Sequence, residues 1–298
     1  MRIVNLTGRA HLLTDNGAID IAESSEGRYG PDPMDLFARW PAFRAWAAAA
    51  PTEAAIPYRP EDLGAPVPRP GQIFAIGLNY ADHAAETGMH ATPGVPSTFT
   101  KFLSCLTGPT GTIALTGPSV DWEVELVVVI GTQASNVATE DAWNHVAGIT
   151  VGQDFSDRDV QMTGTPPQFS LGKSYPGYGP TGPALVTIDE IGPDTPLRLR
   201  CWVNDELVQD GSTAQMILPV AELIEQLSAV CTLYPGDLIF TGTPSGVGMG
   251  RTPPHYLTPG DTVRTSIDSL GEMTHAFTQA RGASRSTVSA TASGDGLI

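Results

Sequence analysis

Basic residues are scarce in this chain: 16 Lys plus Arg stand against 32 Asp plus Glu, a formal net charge of −16. That balance argues against nucleic acid and against anionic membrane surfaces as partners. Cysteine is also rare. Cys105, Cys201 and Cys231 form an odd, widely spaced set with no CxxC pair. Neither a disulfide framework nor a zinc site fits them, and reduced thiols in a cytoplasmic protein are expected. No apolar run approaches the ~20 residues of a membrane span. The first residues, Met1 to Thr7, lack the apolar stretch of a secretory signal and read as a strand. Aromatics make up only 7%, whereas Gly 32 and Pro 26 demand many turns. A helix bundle is disfavoured and a mixed, β-rich α+β fold is expected. At 298 residues and 41% hydrophobic content, one large β-rich domain with a small appendage is accommodated.

Local patterns set the organisation. Residues 1 to about 25 read as a hairpin around Thr14-Asp15-Asn16-Gly17. Pro33 to Ala50 has helical spacing of Leu36, Phe37, Trp40 and Phe43, interrupted at Pro41. Gly64 to Gly71, with three prolines, is a linker. A small N-terminal module therefore spans 1–70, a catalytic domain 71–280, and a flexible tail 281–298. Strands are expected at Ile73–Gly77, 121–131, Val146–Gly152, Leu197–Val203, Leu238–Phe240 and Val263–Ile267, the last closing the β part. Residues 164–183 read as a long loop, and Pro219 to Ala229 as an amphipathic helix with Val230 on its apolar side.

The stretch Asp121-Trp122-Glu123-Val124-Glu125-Leu126-Val127-Val128-Val129-Ile130 carries the strongest signal. Side chains two apart on a strand share a face, so Glu123 and Glu125 project together, opposite Trp122 and Val124. Two neighbouring carboxylates at the mouth of an apolar strand call for a proton or a positive charge between them, unless both are solvated. A hard divalent cation is the simplest partner. Asp154 ends a strand, where it is either a site carboxylate or a helix N-cap. Arg158 and Gln161 share a helix face, suited to a ligand carboxylate or to a surface pair. His83 and Glu86, three apart on a helical turn, have the arrangement of a general base or of an ordinary surface pair. Gly88, Pro93, Gly94 and Pro96 follow them, in a segment able to close as a lid. Lys173 lies in a Gly/Pro-rich loop, either near a developing enolate or simply solvated. Thr241-Gly242-Thr243-Pro244-Ser245-Gly246-Val247-Gly248 lets backbone N–H groups approach an anionic oxygen, although no Gly-Lys-Ser/Thr of a phosphate loop follows.

Taken in order, Gly77 to Glu86, Asp121 to Leu126, Asp154 to Gln161, Lys173, Pro235-Gly236-Asp237 and Thr241 to Gly248 resemble the fumarylacetoacetate hydrolase family. The likeness runs from about residue 71 to about 278 and points to the shorter, three-carboxylate, acylpyruvase-like members. It implies a β-sandwich roll of the family's C-terminal type, a homodimer, and magnesium or manganese (calcium in crystals) held by Glu123, Glu125 and Asp154. It further implies His83 and Glu86 as the water-activating pair and Lys173 at the enolate. Arg158, Gln161, Tyr175 and Thr243 are the implied substrate contacts. The implied activity is metal-dependent hydrolysis of a C–C bond in a 2,4-dioxo acid. The alternatives are decarboxylation of an oxaloacetate-like acid, or isomerisation or hydration of a 2-oxo dienoate. An inactive metal-binding scaffold is disfavoured by the intact His83–Glu86 pair. Three stretches depart from the family pattern: Gln153 where Asn is frequent, Pro176-Gly177 in the lysine loop, and Ile76 where long members carry a metal-ligating Asp.

Overall fold

A computed structural model describes residues 1–50, 55–88 and 96–280. The expected lid segment after Gly88 and the expected tail 281–298 lie outside the described residues, except for Gly88 and Pro96 themselves.

Two sheets face each other. The larger has eleven strands, and its main path runs Gly17–Asp20, Arg9–Thr14, Arg2–Leu6, Gly179–Val186, Val146–Gln153, Val124–Ile130, Leu238–Phe240, Ile73–Gly77, Ser97–Thr100. The smaller runs Glu206–Ser212, Arg198–Val203, Thr262–Ile267, Gly271–Gln279, Thr110–Leu115. Most pairings are antiparallel, but Leu238–Phe240 runs parallel to Ile73–Gly77 and Gly271–Gln279 parallel to Thr110–Leu115. This is the strand-rich α+β fold expected from composition, in the roll that the resemblance implies.

The strand Val124–Ile130 is buried on both faces, which its β-branched run requires. Trp122, Val124, Leu126, Val128 and Ile130 enter the core between the sheets, with Leu199, Val263, Met273 and Phe277. Val127 and Val129 enter a second core on the other face, closed by Leu36, Phe37, Trp40 and Phe43. Glu123 and Glu125 belong by alternation to this second row and form its polar head. The N-terminal strands are thus continuous with the main sheet, and the helix Trp40–Ala47 covers its back. Pro41 occupies the first turn of that helix, after a 3₁₀ stretch Pro33–Arg39, a position where its missing N–H costs nothing.

Three expectations are corrected. Gly179–Val186 is a strand inside the main sheet, not the end of a loop. Its glycines and prolines hide it in sequence, and its ladder is correspondingly interrupted, with a register shift opposite Ile149 and Val151. Thr262–Ile267 does not close the β part, because Gly271–Gln279 follows with Met273, His275 and Phe277 turned inward. Val230 is 85% exposed, since the helix Val220–Ser228 ends before it. Among the described residues no helix is long and apolar enough to cross a membrane.

His275 carries a measurable consequence. It is buried beside Phe155, with Nε2 3.0 Å from the Gly108 carbonyl, and burial lowers its pKa from 6.5 to about 4. Between those values the unfolded chain binds the extra proton, so this group removes stability as pH falls through the window. His275→Gln should therefore lose less unfolding free energy than wild type between pH 7 and pH 5, by on the order of 2 kcal/mol, read from urea melts at both pH values.

Candidate metal centre

Strand pairing gathers the acidic residues. Val124 pairs with Gln153 and Glu125 with Gly152, so the Asp154 N–H reaches the Glu123 carbonyl at 2.9 Å. On the other side Val127–Val129 pair with Leu238–Phe240. The chain leaving Phe240 then places Gly242 N–H 2.8 Å from Glu125 Oε2. Gly242 has φ +94°, and a Cβ there would lie 2.8 Å from Asn79 Cβ, so only glycine fits. Asn79 spans the backbone at Leu218 and Thr241, pinning the start of the helix Ala81–Thr87 that bears His83.

Glu123, Glu125 and Asp154 are buried, and one oxygen from each lies within 4.8 Å of the others. Their surroundings are largely cationic. Lys173 Nζ donates to Glu123 Oε2 at 2.7 Å, to Asp154 Oδ2 at 2.9 Å and to Ser156 Oγ at 2.7 Å. Lys101 Nζ donates to Asp154 Oδ1 at 2.6 Å and to the carbonyls of Lys173 and Tyr178. The Arg158 guanidinium reaches Glu123 at 2.8 Å and Asp121 at 2.7 Å. Burial alone would raise the Glu123 pKa, but Lys173, Arg158 and His83 draw it below the usual carboxylate range. Glu125 goes the other way. Burial first, then Asp154 and Glu123, push its pKa well up, and it makes no ion pair among the described residues.

The ion-paired cluster together with Glu125 holds four carboxylates and three cations, one negative charge in excess. Three hard oxygen donors with uncompensated charge fit a magnesium- or manganese-type ion. Glu125, with a single backbone donor, has capacity left for it.

Beside this cluster His83 Nδ1 lies 2.8 Å from Glu86 Oε1, and Glu86 Oε2 accepts from Gly246 N–H at 2.9 Å. That partner puts the proton on Nδ1 and leaves Nε2 as a base without a protein partner among the described residues. The glycine loop meets its anions as expected, but they are the protein's own: Gly242 on Glu125, Gly246 on Glu86, Gly248 on Asp121.

Other expected contacts are placed differently. Arg158 and Gln161 are buried and bond each other at 2.8 Å, and the Arg158 guanidinium also pairs with Asp121 and Glu123. Arg158 thus lies against the carboxylates in this structure, and Gln161 reaches them through it. Thr243 is buried and accepts from Gln209 at 2.8 Å. Tyr175 packs against Tyr178, ring centroids 5.4 Å apart, with no hydrogen bond to the carboxylates among the described residues. Lys101 and Asp121 went unrecognised as site residues. A signal existed for the first: Lys101 and Lys173 are the only lysines in the sequence, and both are buried at the same carboxylates.

A two-sheet roll with a buried trio of carboxylates beside a His–Glu pair defines a class. Residues 72–278 match the family described as Fumarylacetoacetate (FAA) hydrolase C-terminal. The chain belongs to the fumarylacetoacetate hydrolase family. Among its relatives, the bovine (Bos taurus) protein named oxaloacetate tautomerase FAHD2B, mitochondrial, is 47% identical over 209 residues, 70% of this chain and 66% of that protein. The matched region thus spans just under two thirds of that relative's length. A Mycobacterium smegmatis protein carrying the provisional name HpcE is 52% identical in its crystal structure, with TM-score 0.89, covering 94% of this chain and all of that one. Maleylpyruvate hydrolase from Sphingobium sp. SYK-6, in complex with manganese(II) and pyruvate, is 29% identical with TM-score 0.73 over the same shares. The named relatives are a tautomerase and a hydrolase, so the family's members are enzymes of more than one reaction type.

The charge excess has a sign that can be checked. Glu125→Gln should stabilise the metal-free protein by about 1–3 kcal/mol, because a neutral amide avoids the cost of burying that carboxylate charged or of protonating it. Glu123→Gln should destabilise it by a similar amount, stranding Lys173 and Arg158. Both should weaken Mn2+ binding by roughly 100-fold or more. Thermal melts with and without Mn2+ read all four effects, and equal destabilisation by both variants would refute the assignment of the excess to Glu125.

Proposed function

We propose that this chain catalyses keto–enol isomerisation of a 2-oxo acid of the oxaloacetate kind on a site with a resident Mg2+ or Mn2+. The observation that carries this reading is the oriented His83–Glu86 pair next to a buried carboxylate trio with one negative charge in excess. The tautomerase name of a 47% identical relative supports it over hydrolysis. A divalent ion held by Glu123, Glu125 and Asp154 would supply Lewis-acid polarisation of the 2-oxo oxygen. With such an ion the cluster carries one net positive charge, matched to a substrate carboxylate despite the chain's overall −16.

His83 Nε2 takes a proton from C3 of the substrate while Glu86 stabilises the imidazolium through Nδ1. The C–H electron pair becomes the C2–C3 double bond, the C=O π pair moves to the 2-oxo oxygen, and that oxygen takes the proton back from His83, directly or after exchange with solvent, to give the enol. No atom is gained or lost, so no hydrolytic water takes part. The Lys173 ammonium adds positive charge where the oxygen becomes negative. Arg158 and Gln161 keep Glu123 oriented.

A second reading is C–C hydrolysis of a 2,4-dioxo acid, in which the same His83–Glu86 pair activates water. The manganese–pyruvate complex of the maleylpyruvate hydrolase favours keeping it. A cytoplasmic location and a homodimer complete the proposal. The dimer contact is assigned to Phe102, Leu103 and Leu171, large apolar side chains about half exposed or more beside the Lys173 loop.

Oxaloacetate in deuterated water with Mn2+ should gain deuterium at C3 faster than the uncatalysed rate, followed by NMR. His83→Asn should slow that exchange by roughly 10²–10⁴-fold. Release of pyruvate and a free acid from acylpyruvates, with no catalysed exchange in oxaloacetate, would select the hydrolytic reading instead.

A further inference from the structure

We infer that Asp121 is a positioning residue that locks the carboxylate side of the site to the base side through a clamp on residues 246–250. This deepens the proposed function and rests on its assignment of metal ligands and base.

Asp121 is fully buried and its carboxylate is saturated. Oδ1 accepts from Trp122 N–H at 2.8 Å and Gly248 N–H at 2.7 Å. Oδ2 accepts from Met249 N–H at 3.0 Å and Arg158 Nε at 2.8 Å. The Arg158 fork bridges Asp121 to Glu123, so Asp121 aims the guanidinium that orients Glu123. The same short loop also holds the base. Gly246 N–H fixes Glu86 Oε2, and a Cβ at Gly250 would stand 2.9 Å from the Glu86 carboxyl carbon. Trp122 Nε1 donates to the Gly246 carbonyl at 3.1 Å, a further tie between loop and strand. At Gly248 a Cβ would fall 1.9 Å from the His255 carbonyl oxygen, so the loop has no room to slip.

An acceptor-only group is required at the centre of this clamp. Among the described residues every hydrogen-bond partner of the Asp121 carboxylate is a donor, and an amide would turn one of its own N–H groups against them. Burying the charge is costly, and a loop that needed only anchoring would be served by neutral carbonyls. The charge is explained by what it does to Arg158, and through Arg158 to Glu123. One residue thereby fixes where Glu123 points and how close Glu86 stands to His83, two features that must agree for a proton at C3 to meet Nε2.

Asp121→Asn in the full chain tests this, with Mn2+ affinity by calorimetry and C3 exchange of oxaloacetate by NMR. The Kd for Mn2+ should rise about 10-fold, in line with loss of a supporting contact to a metal ligand. At saturating Mn2+, kcat should stay about 10-fold below wild type with KM nearly unchanged, because Glu86 has lost its seat. Full recovery of kcat at saturating Mn2+ would overturn the clamp, showing that Asp121 serves the metal side alone. Gly250→Ala enters from the other end and alters no carboxylate, so it decides the matter if the first variant does not fold. It should lower kcat and also raise the Mn2+ Kd about threefold. An unchanged Kd would mean that the two ends are independent and the inference is wrong. Calorimetry needs no substrate, so a wild type without exchange activity would refute the tautomerase reading while both Kd values still test the clamp.

Discussion

A buried carboxylate without a cationic partner governs this protein's site. Glu123 and Asp154 have every oxygen paired with Lys101, Lys173 or Arg158, whereas among the described residues Glu125 has only the Gly242 N–H. An unpaired charge at that depth is costly, so the site as folded favours a proton or a divalent ion. The cations around it do not cancel the cluster. They reduce repulsion enough for three carboxylates to share a few ångströms while leaving one charge for a ligand to meet.

The scaffold supplies the rigidity this needs. The site lies where the Val124 end of one strand, the Gln153 end of its neighbour and the chains leaving Phe240 and Gly77 converge on one border of the main sheet. Gln153 holds Glu123 N–H at 2.8 Å and reaches Cys201 and Thr265 of the smaller sheet, tying the ligand strand to the layer beneath. The Gln153 side chain is long enough to span the gap between the sheets. Packed apolar rows on both faces of Val124–Ile130 keep the carboxylates from spreading apart. The candidate site is concentrated at the polar head of a strand buried along its whole length.

Legibility in the sequence followed periodicity. The Glu123–Glu125 pairing on one face came from alternation, and the hairpin turn over Thr14-Asp15-Asn16-Gly17 and the helix at Val220–Ser228 came from equally local patterns. The strand Gly179–Val186 was hidden because its glycines and prolines suppress propensity while its neighbours in space, not in sequence, hold it extended. Gly271–Gln279 alternates well, but His275 inside it reads as polar, and only burial reveals it as a core residue. Lys101 carries no local signal of burial, since lysine is almost never fully buried unless paired, and its partner Asp154 lies 53 residues away.

By itself the sequence determined the strand that carries the site, the face shared by its glutamates, the His83–Glu86 spacing and the family. Those are properties of period and neighbourhood along the chain, which local sterics enforce. Tertiary structure alone decided that Arg158 and Gln161 serve the carboxylates, that both lysines are buried beside them, and that the glycine loop grips the protein's own anions. Electrostatic pairing depends on distance through space, and residues separated by dozens of positions acquire that distance only when the sheets close.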